Sequence, residues 1–206
     1  MNADRWNEKY SDKDFGYGDA PNAFLLSQRS FLVGLDNVFV PADGQGRNGV
    51  WIAGLGLTVR SIDLSQVAVD DALKRADDRG LIIDAWQGDL EDMDWPAHHW
   101  DCIVSIWLHL PTDLRQEIHA GFWGSLNPGG LLILEAYRPE HVEFREKFGS
   151  KGGPPSGELM FTEDMLRTDF PDADFEFFEN QDLFLDEGTG HQGRSATIQA
   201  RIRKPL

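Results

Sequence analysis

The chain is short of cysteine and of basic residues for a protein of 206 residues. Its single cysteine, Cys102, excludes a disulfide framework and, in a buried apolar run, is expected to be inert. There are 19 Lys and Arg against 35 Asp and Glu, a formal net charge of −16. Binding to nucleic acid or to an anionic membrane needs a basic face, so we expect neither partner.

Long apolar runs and a targeting segment are also missing. No run approaches the roughly 20 apolar residues of a membrane span. Residues 1–14 are polar and of mixed charge, unlike a secretory signal. A hydrophobic content of 41% in 206 residues fits one domain with a full core. We therefore predict a single domain over residues 1–206 in a soluble, cytoplasmic protein, with no indication of its oligomeric state.

Strand-like apolar runs alternate with segments of helical spacing as far as residue 136. The predicted strands are Val38–Val40, Leu57–Ile62, Leu81–Trp86, Cys102–Trp107 and Leu131–Ala136. The predicted helices are Pro21–Leu35, Gly46–Leu55, Ser65–Arg79 and Pro111–Leu126, with Asn127–Gly130 as a tight turn. This alternation predicts a Rossmann-like α/β fold, with a mostly parallel sheet and helices on both faces.

The remaining segments are of other kinds. Two strand-like runs, Ala173–Leu185 and Arg194–Arg203, predict an antiparallel C-terminal hairpin at the sheet edge. Residues 1–20 predict a short helix and a loop, a lid segment in which Tyr10 and Tyr17 fold over a ligand or pack elsewhere. Residues 138–160 predict a mobile insertion, because residues 149–157 are rich in glycine and proline.

The stretch Asp43-Gly44-Gln45-Gly46-Arg47-Asn48-Gly49 joins the first predicted strand to a helix. Glycines there let a backbone approach a ligand, since no Cβ intervenes. Asp63 ends the next strand, where a carboxylate can accept hydrogen bonds from a ribose. Together these features predict a site for an adenosine-containing cofactor. The alternatives are ordinary turn glycines at Gly44 and Gly46 and a surface acid at Asp63.

Two cofactors satisfy the glycine pattern, a nicotinamide nucleotide and S-adenosylmethionine. The chain is too short for a complete dinucleotide fold with a substrate domain, and its sheet ends in a hairpin. After the third strand, Asp89 and Leu90 supply a carboxylate and an apolar side chain that suit an adenine. These features favour S-adenosylmethionine, although Asp89 is also consistent with a solvated acid.

Six short motifs carry a resemblance to a known family. They are Trp6–Tyr10, Pro21–Leu25, Gly44–Gly49, Ile62–Ser65, Asn127–Gly130 and Asp186–His191. The runs Gly-Gln-Gly-Arg-Asn and Gly-His-Gln-Gly-Arg are the most specific. The chain resembles class I S-adenosylmethionine-dependent methyltransferases, and among them the tellurite-resistance and small thiol methyltransferases. The resemblance implies seven strands, the last inserted antiparallel, and places His191 and Arg194 at the acceptor site, unless the hairpin tip is in solvent.

The resemblance also assigns the cofactor loop and shows one departure. Leu64 lies in the Ile62–Ser65 motif and is expected at the cofactor beside Asp63. The family's first strand commonly ends Asp-x-Gly-Cys-Gly, whereas this chain has Val40-Pro41-Ala42-Asp43-Gly44. The strand acid and the first glycine are therefore absent, and Asp43 is the nearest carboxylate. Arg47 and Asn48 either bind the cofactor carboxylate or lock the N-terminal segment.

The end of the fourth strand supplies the last candidates, because ligands of such sheets bind at the carboxyl edge. Ile106 and Trp107 are expected to wall the cofactor or the acceptor, or else to pack in the core. His109 is a candidate donor to the acceptor, or a structural histidine. His98 and His99 are adjacent on a loop with no third ligand nearby, so we expect no metal site there.

Three functions follow from these features. The first is methyl transfer from S-adenosylmethionine to a small-molecule acceptor with a soft nucleophile, a thiol or a selenium or tellurium species. The second is an NAD(P)-dependent oxidoreductase, which depends on the glycine pattern alone. The third is a non-catalytic S-adenosylmethionine-binding module, a hypothesis that the altered Val40–Asp43 stretch motivates.

Overall fold

A computed structural model describes residues 2–12 and 16–206 of the chain. The helices in these residues are α1 (Ala3–Ser11), α2 (Ala23–Ser27), α3 (Arg47–Ala53), α4 (Gln66–Asp77), α5 (Thr112–Ser125), α6 (His141–Phe148) and α7 (Glu163–Asp169). The strands are β1 (Asn37–Pro41), β2 (Thr58–Asp63), β3 (Asp84–Gln87), β4 (Trp100–Ile106), β5 (Leu126–Tyr137), β6 (Asp174–Glu187) and β7 (His191–Arg203). No helix among the described residues is long and apolar enough to cross a membrane.

The strands form one sheet in the order β3-β2-β1-β4-β5-β7-β6. Strands β1 to β5 are parallel, and β7 lies antiparallel between β5 and β6. The seven-stranded sheet and the C-terminal hairpin predicted from the sequence are thus confirmed. The strand order reverses between β1 and β4, which places the carboxyl ends of β1, β2 and β4 around one crevice.

Both faces of the sheet are covered, which explains the continuous apolar runs of its central strands. In β1, Phe39 packs into the layer that contains Ile103, while Val38 and Val40 pack into the opposite layer with Val104. Successive side chains point to opposite faces of a strand, so a strand buried on both sides reads as uninterrupted apolar sequence. Cys102 is fully buried in β4, and burial raises the pKa of its thiol.

The helix predicted over Pro21–Leu35 is wrong in its extent. Asn22 caps α2 by accepting a hydrogen bond from Leu25 N, but α2 ends at Ser27 and a 3₁₀ turn follows at Arg29–Leu32. The Ser27 hydroxyl donates to the Phe24 carbonyl, a local bond that competes with the helical ladder. The chain then enters β1, where Asp101 accepts from Asn37 N at 3.1 Å.

Two other boundaries differ from the prediction. The third strand begins at Asp84 rather than Leu81, because its ladder with β2 starts at the pair Arg60–Asp84. Residues 127–130 lie within β5 and form a bulge, because the register jumps from the pair Trp100–Leu126 to the pair Cys102–Leu131. The helix cap at Ser65 is as predicted, with its hydroxyl accepting from Ala68 N.

Replacing Gly46 by alanine tests the packing that sets the start of α3. Gly46 has φ +76°, and an added Cβ would lie 2.7 Å from Ala72 Cβ on α4. Gly80 has φ +64° with nothing within 4 Å, so Gly80→Ala is a matched control for backbone strain alone. We expect Gly80→Ala to cost about 1–2 kcal/mol and Gly46→Ala about 2–5 kcal/mol in urea unfolding. Equal losses in the two variants would contradict close packing at Gly46.

Candidate active site

A cavity of about 320 Å³ opens at the carboxyl ends of β1, β2 and β4. One end is lined by residues from the tips of β2 and β3, including Asp63 and Leu90. The other end is lined by an aromatic cluster that includes Trp107 and Tyr137. Helix α1, the loop from Ala42 to Asn48 and residues 152–155 contribute further parts of the wall. Cavities of this size hold small molecules.

Asp63 lies at the tip of β2 and lines the cavity. Its Oδ2 accepts a hydrogen bond from Gly44 N at 2.9 Å, and its Oδ1 accepts from Ser65 N at 2.9 Å. The side chain is largely buried, and this burial raises the pKa of the carboxyl, while the two backbone N–H groups oppose the shift. Each carboxylate oxygen has two lone pairs, so Asp63 retains acceptor capacity toward a ligand.

The glycines of the loop have distinct surroundings. A Cβ on Gly44 would lie 2.5 Å from the Tyr10 hydroxyl, so Tyr10 covers the Gly44 backbone from the lid side. Gly46 precedes α3 and faces α4, where its lack of a Cβ serves helix packing. Gly44 lies beside Asp63, but neither of these two predicted cofactor-binding glycines is among the described lining residues of the cavity.

The departure at Val40–Asp43 has a structural consequence. Ala42 stands where the resembling family has glycine, and it adopts φ +51°, a left-handed conformation that costs a non-glycine residue about 1–2 kcal/mol. Asp43 is buried, and its carboxylate accepts from Gly49 N in the first turn of α3, with Oδ2 at 3.0 Å. Burial raises the pKa of Asp43 to about 8. Asp43 also lines the cavity.

The apolar residues beside Asp63 suit a flat ring. Ile62, Leu64, Gly88 and Leu90 all line this end of the cavity. Asp89, in contrast, is not among the described lining residues, and its side chain accepts from Glu91 N at 3.1 Å at the start of a 3₁₀ turn. The structure thus brings Leu64 and Leu90 to the site and uses the Asp89 carboxylate to cap a turn.

Arg47 and Asn48 lock the entry to α2 and the hairpin tip, and their predicted binding of the cofactor carboxylate stays a prediction. Asn48 Oδ1 accepts from Asn22 N at 2.9 Å, which fixes the entry to α2. Arg47 Nη2 donates to Glu187 Oε2 at 2.6 Å in a buried ion pair. Both residues also line the cavity, so the lock forms part of the site wall.

Glu187, at the tip of the hairpin, holds residues of the cavity wall in place and was not singled out by the sequence analysis. Besides Arg47, it accepts from Trp107 Nε1 at 3.1 Å, from Asn22 Nδ2 at 3.0 Å and from Ala23 N at 3.1 Å. Its position within the Asp186–His191 motif was the only available signal.

Asn22 extends this network into the sheet. Its Nδ2 also donates to Glu135 Oε2 at 2.6 Å, and Gln199 Nε2 donates to Glu135 Oε1 at 2.6 Å. Burial raises the pKa of Glu135 to about 7 despite these two donors. The network therefore runs without a break from the hairpin tip to Glu135, near the carboxyl end of β5.

Trp107 follows β4 with φ +59°, a strained conformation for a bulky residue. Its ring is stacked on Tyr137 at 4.6 Å and on His191 at 4.9 Å between centroids. The bond from its indole N–H to Glu187 holds the ring in this orientation. Trp107 and the buried Ile106 both line the cavity, and the ring belongs to its aromatic wall.

His109 lines the cavity but uses both ring nitrogens to hold backbone. Nδ1 lies 3.1 Å from the Trp107 carbonyl, and Nε2 accepts from Tyr137 N at 2.9 Å. Burial lowers the pKa of His109 to about 4, so the neutral form carries these bonds. This arrangement fixes the strained turn at Trp107, and neither ring nitrogen of His109 remains to hydrogen-bond a methyl-acceptor molecule.

The two candidates from the hairpin are placed differently. His191 is buried, lines the cavity and shares a hydrogen bond between its Nδ1 and the Tyr137 hydroxyl. Arg194 is exposed, and its guanidinium lies 4.9 Å from the centroid of the Phe148 ring. Arg194 is not among the described lining residues. Of the hairpin pair, only His191 is brought to the cavity.

Hydrogen bonds attach the lid segment to α4 and to the hairpin tip. Asn7 Oδ1, on α1, accepts from the Ser65 hydroxyl at 2.8 Å and from Val67 N at 3.3 Å. Further along, Gly16 O accepts from Gly190 N at 3.0 Å at the hairpin tip. Tyr10 and Tyr17 line the cavity, as predicted for a lid. Residue 1 and residues 13–15 of the predicted lid lie outside the described residues.

Residues 152–155 of the predicted insertion lie over the cavity. Lys151 pairs with Gln192 in a β-bridge, and Arg145 donates to the carbonyls of Pro154 and Pro155 at 2.7 and 3.0 Å. The mobility expected for residues 138–160 stays a prediction, but this part of the segment is fastened to α6 and β7.

Histidines 98 and 99 lie before β4, at the opposite edge of the sheet from the cavity. His98 Nδ1 is 3.3 Å from the Leu126 carbonyl, and His99 packs edge-on against Trp100. In the part of the chain that the structure describes, no group of three or more His, Cys, Asp or Glu side chains could hold a metal ion.

A family model described as a methyltransferase domain matches residues 41–130. The thiopurine S-methyltransferase of Pseudomonas putida (strain W619) is 35% identical over 90 residues, covering 42% of this chain. This match spans 40% of that enzyme's length. The thiopurine S-methyltransferase of Pseudomonas fluorescens is 27% identical over 165 residues, 69% of this chain and 74% of that enzyme.

Solved structures share the fold. TehB from Haemophilus influenzae aligns with a TM-score of 0.71 and 19% identity, over 98% of this chain and 66% of that one. The N-methyltransferase NodS from Bradyrhizobium japonicum, solved with S-adenosyl-L-homocysteine, aligns with a TM-score of 0.68 and 17% identity, over 99% and 98% of the two chains. At these identities the likeness bears on the fold alone.

The cofactor is S-adenosylmethionine, the methyl donor that the methyltransferase family model implies. The cavity fits this molecule by its chemistry. It has a carboxylate with spare lone pairs at Asp63, apolar side chains at Leu64 and Leu90, and a glycine at Gly88. A Cβ on Gly88 would lie 3.0 Å from Ile62 Cδ1, so the Gly88 backbone packs closely on the Ile62 side chain. The aromatic wall at the other end suits a positively charged sulfur.

The buried carboxyl of Asp43 predicts a pH-dependent stability. Its folded pKa of about 8 lies above the ordinary value of 3.8. The contribution of the neutral acid to stability is therefore complete below about pH 4 and is lost as the pH rises through about 8. Asp43→Asn keeps an acceptor for Gly49 N and does not titrate. The unfolding free energy of Asp43→Asn relative to the native chain should rise by up to about 1.4 kcal/mol per pH unit over that window. A difference independent of pH would contradict this assignment.

Proposed function

We propose that this chain, a class I S-adenosylmethionine-dependent methyltransferase, transfers the methyl group to a small molecule by in-line displacement. The acceptor atom in this proposal is a soft nucleophile, a thiol sulfur or a selenium or tellurium species. The observation that carries the proposal is one cavity that joins Asp63 to the aromatic wall of Trp107, Tyr137 and His191. The lid and residues 152–155 close over it, so a small acceptor is favoured.

The cofactor end of the proposal assigns roles to residues at the tips of β1 to β3. The Asp63 carboxylate accepts hydrogen bonds from the ribose hydroxyls, and Leu64 and Leu90 flank the adenine. Gly44 acts through its N–H group, since the space beside its Cα is taken by the Tyr10 hydroxyl. Support comes from the burial of Asp63 and from its bond to Gly44 N at 2.9 Å, which orients the carboxylate.

The acceptor end is suited to positioning rather than to proton removal. The cofactor supplies a methyl group on a positively charged sulfur. Holding an acceptor on the methyl axis accounts for about 7–11 kcal/mol of barrier in favourable cases. A thiol of pKa about 8.5 needs little help to ionise. His109, with both nitrogens engaged by the Trp107 carbonyl and Tyr137 N, serves to position the wall.

Cationic side chains of the lid support an acceptor that arrives as an anion. Arg5 and Lys9 on α1 line the cavity. Lys9 Nζ donates to the Tyr17 hydroxyl at 2.9 Å and lies 4.6 Å from the centroid of Trp6. The similarity to two thiopurine S-methyltransferases supports sulfur as the acceptor atom. The sequence resemblance keeps tellurium species, and a part in tellurite resistance, within the proposal.

The first test is calorimetry with S-adenosylmethionine and S-adenosylhomocysteine, followed by an acceptor screen with methyl-labelled cofactor. We expect binding of both nucleosides and labelled product with thiol, selenol or tellurium acceptors. Failure to bind either nucleoside at millimolar concentration would end the proposal. Binding without product from any acceptor would favour the non-catalytic module, and a thermal shift with NAD or NADP alone would favour the oxidoreductase.

The aromatic wall predicts a preference for the charged form of the cofactor. Replacing Trp107 by leucine removes the ring that we place beside the sulfonium. Affinity for S-adenosylmethionine should fall about 2–30-fold further than affinity for S-adenosylhomocysteine, whose sulfur is neutral, because a cation–π contact is worth about 0.5–2 kcal/mol. The second ligand is the internal control for general damage to the site. An equal loss for the two ligands would remove Trp107 from this role.

A further inference from the structure

We infer that Tyr137 is a positioning residue that fixes His191 in the tautomer with its proton on Nε2. In this form His191 meets the acceptor as a hydrogen-bond donor and not as a base. The inference rests on the proposed function, in that the acceptor atom binds in this cavity. It narrows the acceptors to those that arrive already ionised or carry a lone pair without an acidic proton.

The hydrogen-bond acceptor for the Tyr137 hydroxyl proton is Nδ1 of His191. Tyr137 ends β5, its side chain is fully buried, and its hydroxyl meets Nδ1 of His191. No other hydrogen-bonding partner of this hydroxyl occurs among residues 2–12 and 16–206. Burial raises the pKa of Tyr137, with Glu187 and Glu135 adding to the shift, so the phenol keeps its proton. A buried O–H without an acceptor costs about 1–3 kcal/mol, so the proton points at Nδ1.

His191 is then left with one proton, on its other nitrogen. The ring is buried, and burial lowers its pKa well below the ordinary value, with Arg47 adding to the shift. A neutral imidazole that accepts at Nδ1 carries its hydrogen on Nε2. Within the described part of the chain, no group hydrogen-bonds to Nε2 of His191, and the residue lines the cavity. The N–H at Nε2 is therefore available to a bound molecule.

Packing around Tyr137 and His191 prevents the His191 imidazole from flipping. His191 is stacked on Trp107 at 4.9 Å and on Tyr137 at 5.5 Å, and Tyr17 covers it at 4.5 Å. A Cβ on Gly152 would lie 2.8 Å from His191 Nδ1, so the backbone of the 152–155 segment closes directly over the bond. Rotating the ring would replace the bond to Tyr137 by a carbon contact. The tautomer is thus set by the fold.

The consequence for the reaction is that no proton passes to His191. The ionised sulfur, selenium or tellurium atom of the acceptor forms the new bond to the methyl carbon as the bond to the sulfonium breaks. The electron pair of the broken bond stays on the cofactor's sulfur, and the two opposite charges disappear together. An N–H donor at Nε2 holds the acceptor anion before transfer, a role that a base could not fill.

Nitrogen NMR of the imidazoles tests the tautomer without any need for turnover. In protein labelled with ¹⁵N-histidine, the signals of His191 are those that disappear in His191→Gln. We expect a protonated, pyrrole-type Nε2 and an unprotonated, pyridine-type Nδ1. Tyr137→Phe removes the hydrogen bond that Nδ1 accepts and should move the Nδ1 signal, whereas Tyr17→Phe, which removes a hydroxyl from the same ring cluster, should not. An unprotonated Nε2 in the native protein would overturn the inference, whether or not Tyr137→Phe folds.

Two substitutions at His191 test the consequence once an acceptor is known. Glutamine can place an N–H donor near the position of Nε2, whereas asparagine mimics Nδ1. We expect His191→Gln to retain most of the transfer rate that His191→Asn loses. A general base is worth about 10²–10⁴-fold, so equal losses of that size in both variants would show His191 to be a base. Absence of transfer by the native protein would reject the proposed function, and the NMR result would still decide the tautomer.

Discussion

The carboxylate of Glu187 is the interaction on which the site depends. Donors from three separate parts of the chain converge on it: Arg47 at the start of α3, Trp107 at the end of β4, and Asn22 with Ala23 at the entry to α2. A buried charge without such partners would be costly, and with them it holds each part in place. The hairpin tip is thereby fixed over the crevice, and the lid docks on that tip through Gly16 and Gly190. The strained backbone of Trp107 persists because its indole is hydrogen-bonded to Glu187 and its carbonyl is held by His109, which also binds Tyr137 N.

Much of the fold could be predicted from the sequence, because burial on both faces leaves long apolar runs such as Cys102–Trp107. The loop at Gly44 and the acid at Asp63 were also predictable, since they are close in sequence to the strands that position them. The convergence of donors on Glu187 and the hydrogen bond between Tyr137 and His191 were not predictable, because these side chains meet groups 54 or more positions away in the sequence. Arg194 and Asp89 have residue types suited to the site, but their side chains serve a surface contact and a turn cap. Residue type alone could not distinguish these outcomes.

The electrostatics of the cavity suit a reaction in which charge disappears. Burial shifts the acids toward their neutral forms, with a pKa of about 8 at Asp43 and about 7 at Glu135. It shifts the histidines the same way, with a pKa of about 4 at His109. The buried charge of Arg47, near the aromatic wall, is paired with Glu187. In such surroundings a separated cation and anion are poorly solvated, so their conversion to two neutral products is favoured over the same step in water.

We propose that the adenosine of S-adenosylmethionine lies across the tips of β1 and β2 with its ribose on Asp63. A crystal structure with S-adenosylhomocysteine tests this most directly. We expect both ribose hydroxyls within hydrogen-bonding distance of the Asp63 carboxylate, the adenine between Leu64 and Leu90, and the sulfur facing the wall of Trp107 and His191. A nucleoside bound elsewhere, or an Asp63 carboxylate that makes no contact with the ribose, would contradict it.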